Sequence, residues 1–332
     1  MRVDVERLRL AKPFRIAGHV FTETPVAIVM ITEGERFGRG EGAGVYYLDD
    51  DIDKIVADLE GVRALVEEGL TRQDLQTVLP ACGARNALDC AMWELEAQRA
   101  DQPVWSLAGL TQVRPLVTAF TLGAESPDIM REAAANYSVA SALKLKLTGE
   151  VETDVERVRA VREARPDCWI GVDANQGFTL RALEQIMPTL LDAKVALIEQ
   201  PLRRGDESLL RGFVSPIPLA ADESVQTSAD LPAMLDLFSV INIKLDKSGG
   251  LTEGLAMAQQ ALALGFEVMV GNMTGSSLAM APGFVLGQYC SVVDLDGPTF
   301  LAEGRRPSVS YAAGKIWCPD EVWGGASSVV PA

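Results

Sequence analysis

The chain of 332 residues has a single histidine, His19. That scarcity argues against a Ser-His-Asp triad, a multi-histidine zinc site and an HExxH protease together. Any acid–base chemistry must then fall to Lys, Asp, Glu or Tyr. The five cysteines (Cys82, Cys90, Cys168, Cys290, Cys318) are scattered and form no CxxC. Reduced, mostly buried thiols in a cytoplasmic protein are the expectation. No apolar run nears the ~20 residues that span a bilayer. The opening Met1-Arg-Val-Asp-Val-Glu-Arg-Leu-Arg-Leu10 alternates charged and apolar residues and has no signal-peptide core. Basic residues are outnumbered, 30 Lys and Arg against 46 Asp and Glu, for a formal charge of −16. Nucleic acid and anionic membrane are bound through basic surface, so neither is an expected partner. No Gly-x-Gly-x-x-Gly follows an early strand, and Gly249-Gly250 lacks that spacing, which leaves a doubly wound dinucleotide-binding sheet as the weaker alternative.

What is present is enough apolar residue, 48%, for one large barrel and a smaller domain. Residues 1 to about 45 alternate in strand fashion, most clearly at Val26-Ala-Ile-Val-Met-Ile31. Gly38-Arg-Gly-Glu-Gly-Ala-Gly44 reads as a flexible turn, and Val45-Tyr-Tyr-Leu-Asp-Asp-Asp51 as a mobile loop before a helix. Helical periodicity dominates from Ile52 to Arg99, and Pro103 and Gly109 mark a boundary. From Arg114 onward, strand candidates fall at 115–122, 142–147, 168–173, 195–199, 217–221, 239–244, 266–271 and 291–295. Amphipathic helical stretches at 151–165, 180–193, 226–238 and 251–264 fill several of the gaps. The expectation is an α/β fold: a (β/α)7β TIM-like barrel over 111–299 and an N-terminal α+β capping domain over 1–110, completed by the C-terminal tail, 300–332.

The most informative stretch is Ser141-Ala-Leu-Lys-Leu-Lys-Leu-Thr148. Strand residues alternate faces, so Lys144 and Lys146 point together to the inside of the barrel. Two buried ammonium groups cost too much to stand without acids. Acids arrive at the ends of the next three strands, Asp173, Glu199 and Asp222, and Lys244 ends the sixth. These four are 26, 23 and 22 residues apart, one β/α unit each. In such a barrel the strand C-termini share the face on which active sites lie. Taken singly, an acid at a strand end is more often a helix N-cap. Three in register suit a hard cation such as Mg²⁺. Lys146 and Lys244 flank them and offer one amine to each face of a bound carbon. Asp246 and Lys247 read as a loop ion pair. Asp294 and Asp296, closing the eighth strand, share a face and suit a substrate ammonium.

This constellation resembles the enolase superfamily, muconate-lactonizing-enzyme subgroup, where a Lys base works beside Mg²⁺. Within it the Asp294-Leu-Asp296 pair is similar to a signature of dipeptide epimerases, those acting on L-Ala-D/L-Glu above all. The likeness runs through Leu70-Thr-Arg-Gln73, Ala84-Arg-Asn-Ala-Leu-Asp-Cys-Ala-Met-Trp93, Ile243-Lys-Leu-Asp-Lys-Ser-Gly-Gly-Leu-Thr-Glu253 and Val293-Asp-Leu-Asp-Gly-Pro298.

The resemblance implies that Asp173, Glu199 and Asp222 hold Mg²⁺ and that Lys146 and Lys244 are the two acid/base groups. It implies further that Lys144 helps bind a substrate carboxylate and that Asp294 and Asp296 hold the N-terminal ammonium of a dipeptide. The implied reaction is inversion of the C-terminal residue's α-carbon through an enediolate, in murein peptide recycling. Ala-Glu epimerases carry an arginine in the N-terminal covering loop, which here reads Ile16-Ala-Gly-His-Val-Phe21. His19 and Phe21 are the substrate-contact candidates in its place. An apolar second residue, favoured by Val20, Phe21 and Tyr47, and a cationic one drawn by Asp49-Asp50-Asp51 both stay open, as does a homo-oligomeric state. A lyase or cycloisomerase of the same superfamily, or a non-catalytic metal-binding barrel, is the alternative.

Overall fold

The computed structural model describes residues 1–326. Two long strands, β1 (Arg2–Ile16) and β2 (His19–Glu33), form an antiparallel hairpin, and β3 (Arg36–Ala43) adds to β2. Helices α1 (Ile52–Gly61), α2 (Arg63–Glu67), α3 (Arg72–Val78), α4 (Gly83–Ala100) and α5 (Val104–Leu107) follow. Asp51 starts α1 by accepting the Lys54 N–H at 2.9 Å, and Thr71 starts α3 by accepting that of Asp74 at 3.1 Å.

The stretch expected as a flexible glycine turn is strand β3, a correction with a clear physical cause. Gly38, Gly40 and Gly42 lie two apart and so share one face, and α4 docks on that face at backbone distance. A Cβ on Gly38 would overlap the Ala91 carbonyl, and one on Gly40 the Ala87 carbonyl. The loop expected to be mobile is anchored. It holds a short 3₁₀ turn, Tyr46–Leu48, and a buried Asp50 that accepts the Gly83 N–H at 2.8 Å.

The barrel sheet comprises β5 (Phe120–Leu122), β6 (Ala142–Lys146), β7 (Trp169–Asp173), β8 (Leu197–Glu199), β9 (Leu219–Ala221), β10 (Val240–Lys244), β11 (Glu267–Gly271) and β12 (Val292–Val293), all parallel in chain order. β5 and β12 meet where the Ala119 N–H donates to the Val293 carbonyl at 2.9 Å and the Leu295 N–H to Thr118 Oγ1 at 2.9 Å. The connections carry α6 (Pro127–Asn136), α7 (Val151–Ala164), α8 (Leu180–Asp192), α9 (Leu245–Ser248), α10 (Leu251–Ala263) and α11 (Ser277–Gly287), with 3₁₀ turns at Glu207–Leu210 and Ser228–Met234. The second of these 3₁₀ turns replaces the α-helix expected at 226–238. Pro232 sits inside it and has no N–H to give an i−4 carbonyl.

The expected first barrel strand, 115–122, is two strands. Only β5 belongs to the barrel, while β4 (Leu116–Val117) pairs with β14 (Lys315–Trp317), which pairs in turn with β13 (Ser310–Ala312). Beyond the barrel the chain returns to the N-terminal sheet, with Arg305 on Glu6 at 2.6 Å and the Trp323 Nε1–H on the Arg39 carbonyl at 2.8 Å. Residues 327–332 of the expected tail lie outside the described residues. No helix among the described residues is long and apolar enough to cross a membrane.

The glycine face of β3 generates a test. Gly40→Ala should lower stability by about 1–3 kcal/mol in urea unfolding, because backbone faces the new methyl. Gly61→Ala, at a position with open space, should leave stability unchanged or raise it by up to about 1 kcal/mol. Equal effects at the two sites would contradict the packing account.

Candidate active site

Successive parallel strands put their C-terminal residues side by side, and the register does so here. Lys146 pairs with Asp173, and Asp173 with Glu199, across three adjacent strands. Asp222 follows β9 directly, and Lys244 ends β10. One carboxylate oxygen from each of Asp173, Glu199 and Asp222 lies within 4.8 Å of the others, and all three residues are fully buried. Lys146 Nζ donates to Asp173 Oδ2 at 2.5 Å on one side of the triad, and Lys244 Nζ to Asp222 Oδ2 at 2.5 Å on the other. Lys144, on the same face as Lys146, reaches Glu199 Oε2 at 3.2 Å and bonds Asp294.

The charge balance tests whether a cation fits. Six carboxyls (Asp173, Glu199, Asp222, Glu223, Asp294, Asp296) face four lysines (Lys144, Lys146, Lys244, Lys247), all buried. Fully ionised, the cluster is short of two positive charges. The strain shows in the carboxyls. Burial, followed by the Asp173 charge, pushes Glu199 up to about 7, and burial with Asp222 pushes Glu223 up to about 8. Burial also opposes the charged form of Asp173 and Asp222, but lysines outweigh it at both: Lys146 and Lys144 for Asp173, Lys244 and Lys247 for Asp222. Buried oxygens of Glu223 (Oε2), Asn175 (Oδ1) and Asn242 (Oδ1) have no protein partner among the described residues. Hard oxygen donors with a deficit of two charges fit a divalent cation.

Above the triad lies a cavity of about 300 Å³ onto which Lys146, Asp222, Glu223 and Lys244 open. Its far wall is Phe14, Ile16, Phe21 and Tyr46, from the β1–β2 hairpin and the loop after β3. His19 sits at the exposed hairpin tip, its ring 4.4 Å from that of Tyr46 and 6.1 Å from that of Phe21. Tyr47 joins the lining, whereas Val20 is half exposed and does not. No arginine lines the cavity among the described residues. Arg15 turns away to Glu125 at 3.0 Å. Asp294 and Asp296 are buried beside the site and already engaged, Asp294 by Lys144 and Asp296 by the Thr121 N–H at 2.6 Å. Burial, then the Asp294 charge, pushes Asp296 up to about 7.

Asp246 and Lys247 do not pair with each other, which corrects the reading as a loop ion pair. Lys247 is fully buried and donates to Asp222 Oδ1 at 2.9 Å, the Asp222 carbonyl at 2.5 Å and the Asn242 carbonyl at 3.0 Å. Asp246 Oδ1 accepts from the Ala43 N–H and from Asn86 Nδ2, both at 2.8 Å. Four further side chains, Asn175, Gln200, Glu223 and Asn242, were missed by sequence reasoning. Asn242 Nδ2 holds Glu199 Oε1 at 2.8 Å, Asn175 Nδ2 reaches Glu223 Oε1 at 3.3 Å, and Gln200 Oε1 accepts the Asp222 N–H at 2.9 Å. The signal for Asn242 was available, since it lies two residues before Lys244 on the same face.

Two family profiles match the chain: "Mandelate racemase / muconate lactonizing enzyme, N-terminal domain" over residues 1–109 and "Enolase C-terminal domain-like" over 128–297. The chain is 38% identical over 316 residues to the L-Ala-D/L-Glu epimerase of Escherichia coli (strain K12), covering 95% of this chain and 98% of the relative. It is 38% identical over 304 residues to an N-acetyl-D-glutamate racemase of Pseudoalteromonas sp, covering 90% and 95%. An Agrobacterium tumefaciens enolase family member with homology to dipeptide epimerases, solved with sodium and L-Ala-L-Glu, superposes with a TM-score of 0.95 at 38% identity, over 97% of this chain and 99% of that one. A dipeptide epimerase of Enterococcus faecalis V583, solved with Mg and L-Leu-L-Tyr, superposes at 0.89 and 27% identity, over 98% and 97%.

Burial raises the Asp246 carboxyl to about 7, against the two donors that hold it. A folded-state value above the unfolded one gives stability that is present at low pH and lost as pH rises through it. Asp246→Asn should therefore gain on the wild type by about 2–4 kcal/mol between pH 4 and pH 8, read by urea unfolding across that range. A difference that does not change with pH would contradict the assignment.

Proposed function

This chain belongs to the mandelate racemase / muconate lactonizing enzyme family of the enolase superfamily, and on that premise we propose that it is a Mg²⁺-dependent dipeptide epimerase, inverting the α-carbon of the C-terminal residue by two-base 1,1-proton transfer. The observation that carries the reading is the pair Lys146 and Lys244, set on strands β6 and β10 with the three acid-bearing strand ends between them. L-Ala-D/L-Glu, from murein peptide recycling, is the leading substrate, on the likeness to the Escherichia coli enzyme. We read residues 1–110 with 300–332 as the capping domain and 111–299 as the catalytic barrel.

Asp173, Glu199 and Asp222 would hold the cation. When bound, it supplies Lewis-acid stabilisation for the negative charge that builds on the substrate carboxylate as the α-proton leaves. The chain's own residues do the rest. One lysine, as the neutral amine, takes the proton from its face, and the other, as ammonium, returns a proton on the opposite face. Lys144 adds a positive charge for the carboxylate. Both bases are buried, at 6% and 5% exposure, under the aromatic wall of the cap, which keeps water from quenching the intermediate. His19 and Phe21 would meet the side chain of the reacting residue. Asp294 and Asp296 would receive the dipeptide ammonium.

One observation favours a second reading, racemisation of an N-acylated amino acid. Asp294 and Asp296 already accept from Lys144 and the Thr121 N–H, so an ammonium would have to share them with these donors, whereas an acyl group would not. The Pseudoalteromonas relative is named as such an enzyme.

Two measurements test these readings. Lys146→Ala and Lys244→Ala should each cut epimerisation of L-Ala-L-Glu with Mg²⁺ by about 10²–10⁴-fold in a chiral chromatographic assay. Full turnover in either variant would sink the two-base mechanism. Asp296→Asn should lower kcat/KM at least about tenfold on the dipeptide and leave N-acetylglutamate untouched. Equal losses on both, or a wild type that prefers N-acetylglutamate, would replace the first reading with the second.

A further inference from the structure

Helix α4 belongs to the cap, yet side chains of Arg85, Asn86, Asp89 and Trp93 grip the barrel segment that follows β10, Trp93 by donating its Nε1–H to Thr252 Oγ1 at 3.0 Å. Asn86 Nδ2 donates to Asp246 Oδ1 at 2.8 Å. Arg85 donates to the Ser248 carbonyl through Nη2 at 2.7 Å and to the Gly249 carbonyl through Nε at 3.1 Å. One turn further along α4, Asp89 accepts the Thr252 N–H at 3.0 Å and the Thr252 hydroxyl at 2.5 Å. Arg85, Asn86 and Asp89 are all buried, so each bond acts away from water, where a lost partner is costly.

The turn is shaped to receive this grip. Gly249 and Gly250 have φ of 82° and 116°, which other residues rarely adopt. A Cβ on Gly249 would overlap the Arg85 guanidinium, and one on Gly250 the Asp89 carboxylate. Helix α10 (Leu251–Ala263) has a glycine, Gly250, at its N-cap and so no capping side chain of its own. Asp89 takes that place from the other domain, with its negative charge at the helix N-terminus. Only Leu245 separates Lys244 from the first gripped residue, Asp246. The bonds named above all land beyond β10, while Lys146, on β6, stands across the triad.

We propose that Arg85, Asn86 and Asp89 are positioning residues for one face of the reaction: by clamping residues 246–252 to the cap they fix where the Lys244 amine stands. The proposal rests on the two-base reading above. It makes the cap part of the catalytic geometry as well as a cover for the cavity. A clamp that served stability alone would, when loosened, slow both lysines together. A clamp on Lys244 slows one.

The test reads the two faces separately. α-Proton exchange in D₂O with Mg²⁺ is followed by NMR from L-Ala-L-Glu and from L-Ala-D-Glu. Lys146→Ala and Lys244→Ala identify which isomer reports which base. In Asp89→Ala and Arg85→Met, exchange of the Lys244-dependent isomer should fall at least about tenfold and that of the other isomer less than about threefold. Asp89→Asn, which keeps an acceptor for the Thr252 N–H, should recover most of the loss. Equal loss from both isomers, or no loss, would overturn the proposal. If the α4 variants do not fold, Thr252→Val removes part of the same contact from the barrel side and is read by the same criterion. Exchange from neither isomer in the wild type would overturn the two-base reading itself, and the proposal with it.

Discussion

Four lysines and six carboxyls share one buried cluster at the mouth of the barrel, and no member of it could be buried alone. An isolated buried ion costs several kcal/mol even after relaxation, and only near neighbours of opposite sign with satisfied hydrogen bonds repay that cost. The bonds of Lys146 to Asp173, Lys244 and Lys247 to Asp222, and Lys144 to Glu199 and Asp294 do this pairwise. The balance is incomplete. Glu199, Glu223 and Asp296 are all pushed to about 7 or 8, chiefly by burial and then by a neighbouring carboxylate. A site that holds too much negative charge for its own lysines is primed for a cation, and the fold tolerates that deficit for the sake of the chemistry.

The cap is tied to the strand ends that carry this cluster. Strand ends place the lysines and acids, but the turn after β10 is shaped by the cap. The cap reaches it through α4, which is itself nearly all buried between a glycine face of β3 and the barrel. Arg39 and Glu94 tie β3 to α4 at 2.6 Å, and the chain's return through Trp323 and Gly324 bonds to the same pair of elements. Cap sheet, α4 and the Lys244 turn thus form one connected path of buried contacts.

Much of this was legible in the sequence because barrel geometry repeats. The alternation in Ala142-Leu-Lys-Leu-Lys146 fixes a face, and the 26-, 23- and 22-residue spacings of the four downstream residues count off β/α units. What escaped depends on contacts distant in sequence. Gly38 to Gly44 looks like a turn until α4 is seen lying on its glycines. Asp246 and Lys247 look like a local ion pair. Their partners, Asn86 and Asp222, lie 160 and 25 residues away. The covering loop's missing arginine was visible in the sequence, whereas the aromatic wall that stands in its place needed the hairpin folded over the cavity.

In the proposed mechanism two lysines act from opposite faces of one carbon. It is tested most directly by following the first turnover of L-Ala-L-Glu in D₂O with Mg²⁺ and reading deuterium at the α-carbon of product and recovered substrate. Two bases predict product that carries solvent deuterium at the α-carbon from the outset, because the proton returned on the opposite face comes from the other lysine. Product that retains the substrate's α-proton would mean a single base working both faces, and would contradict the account.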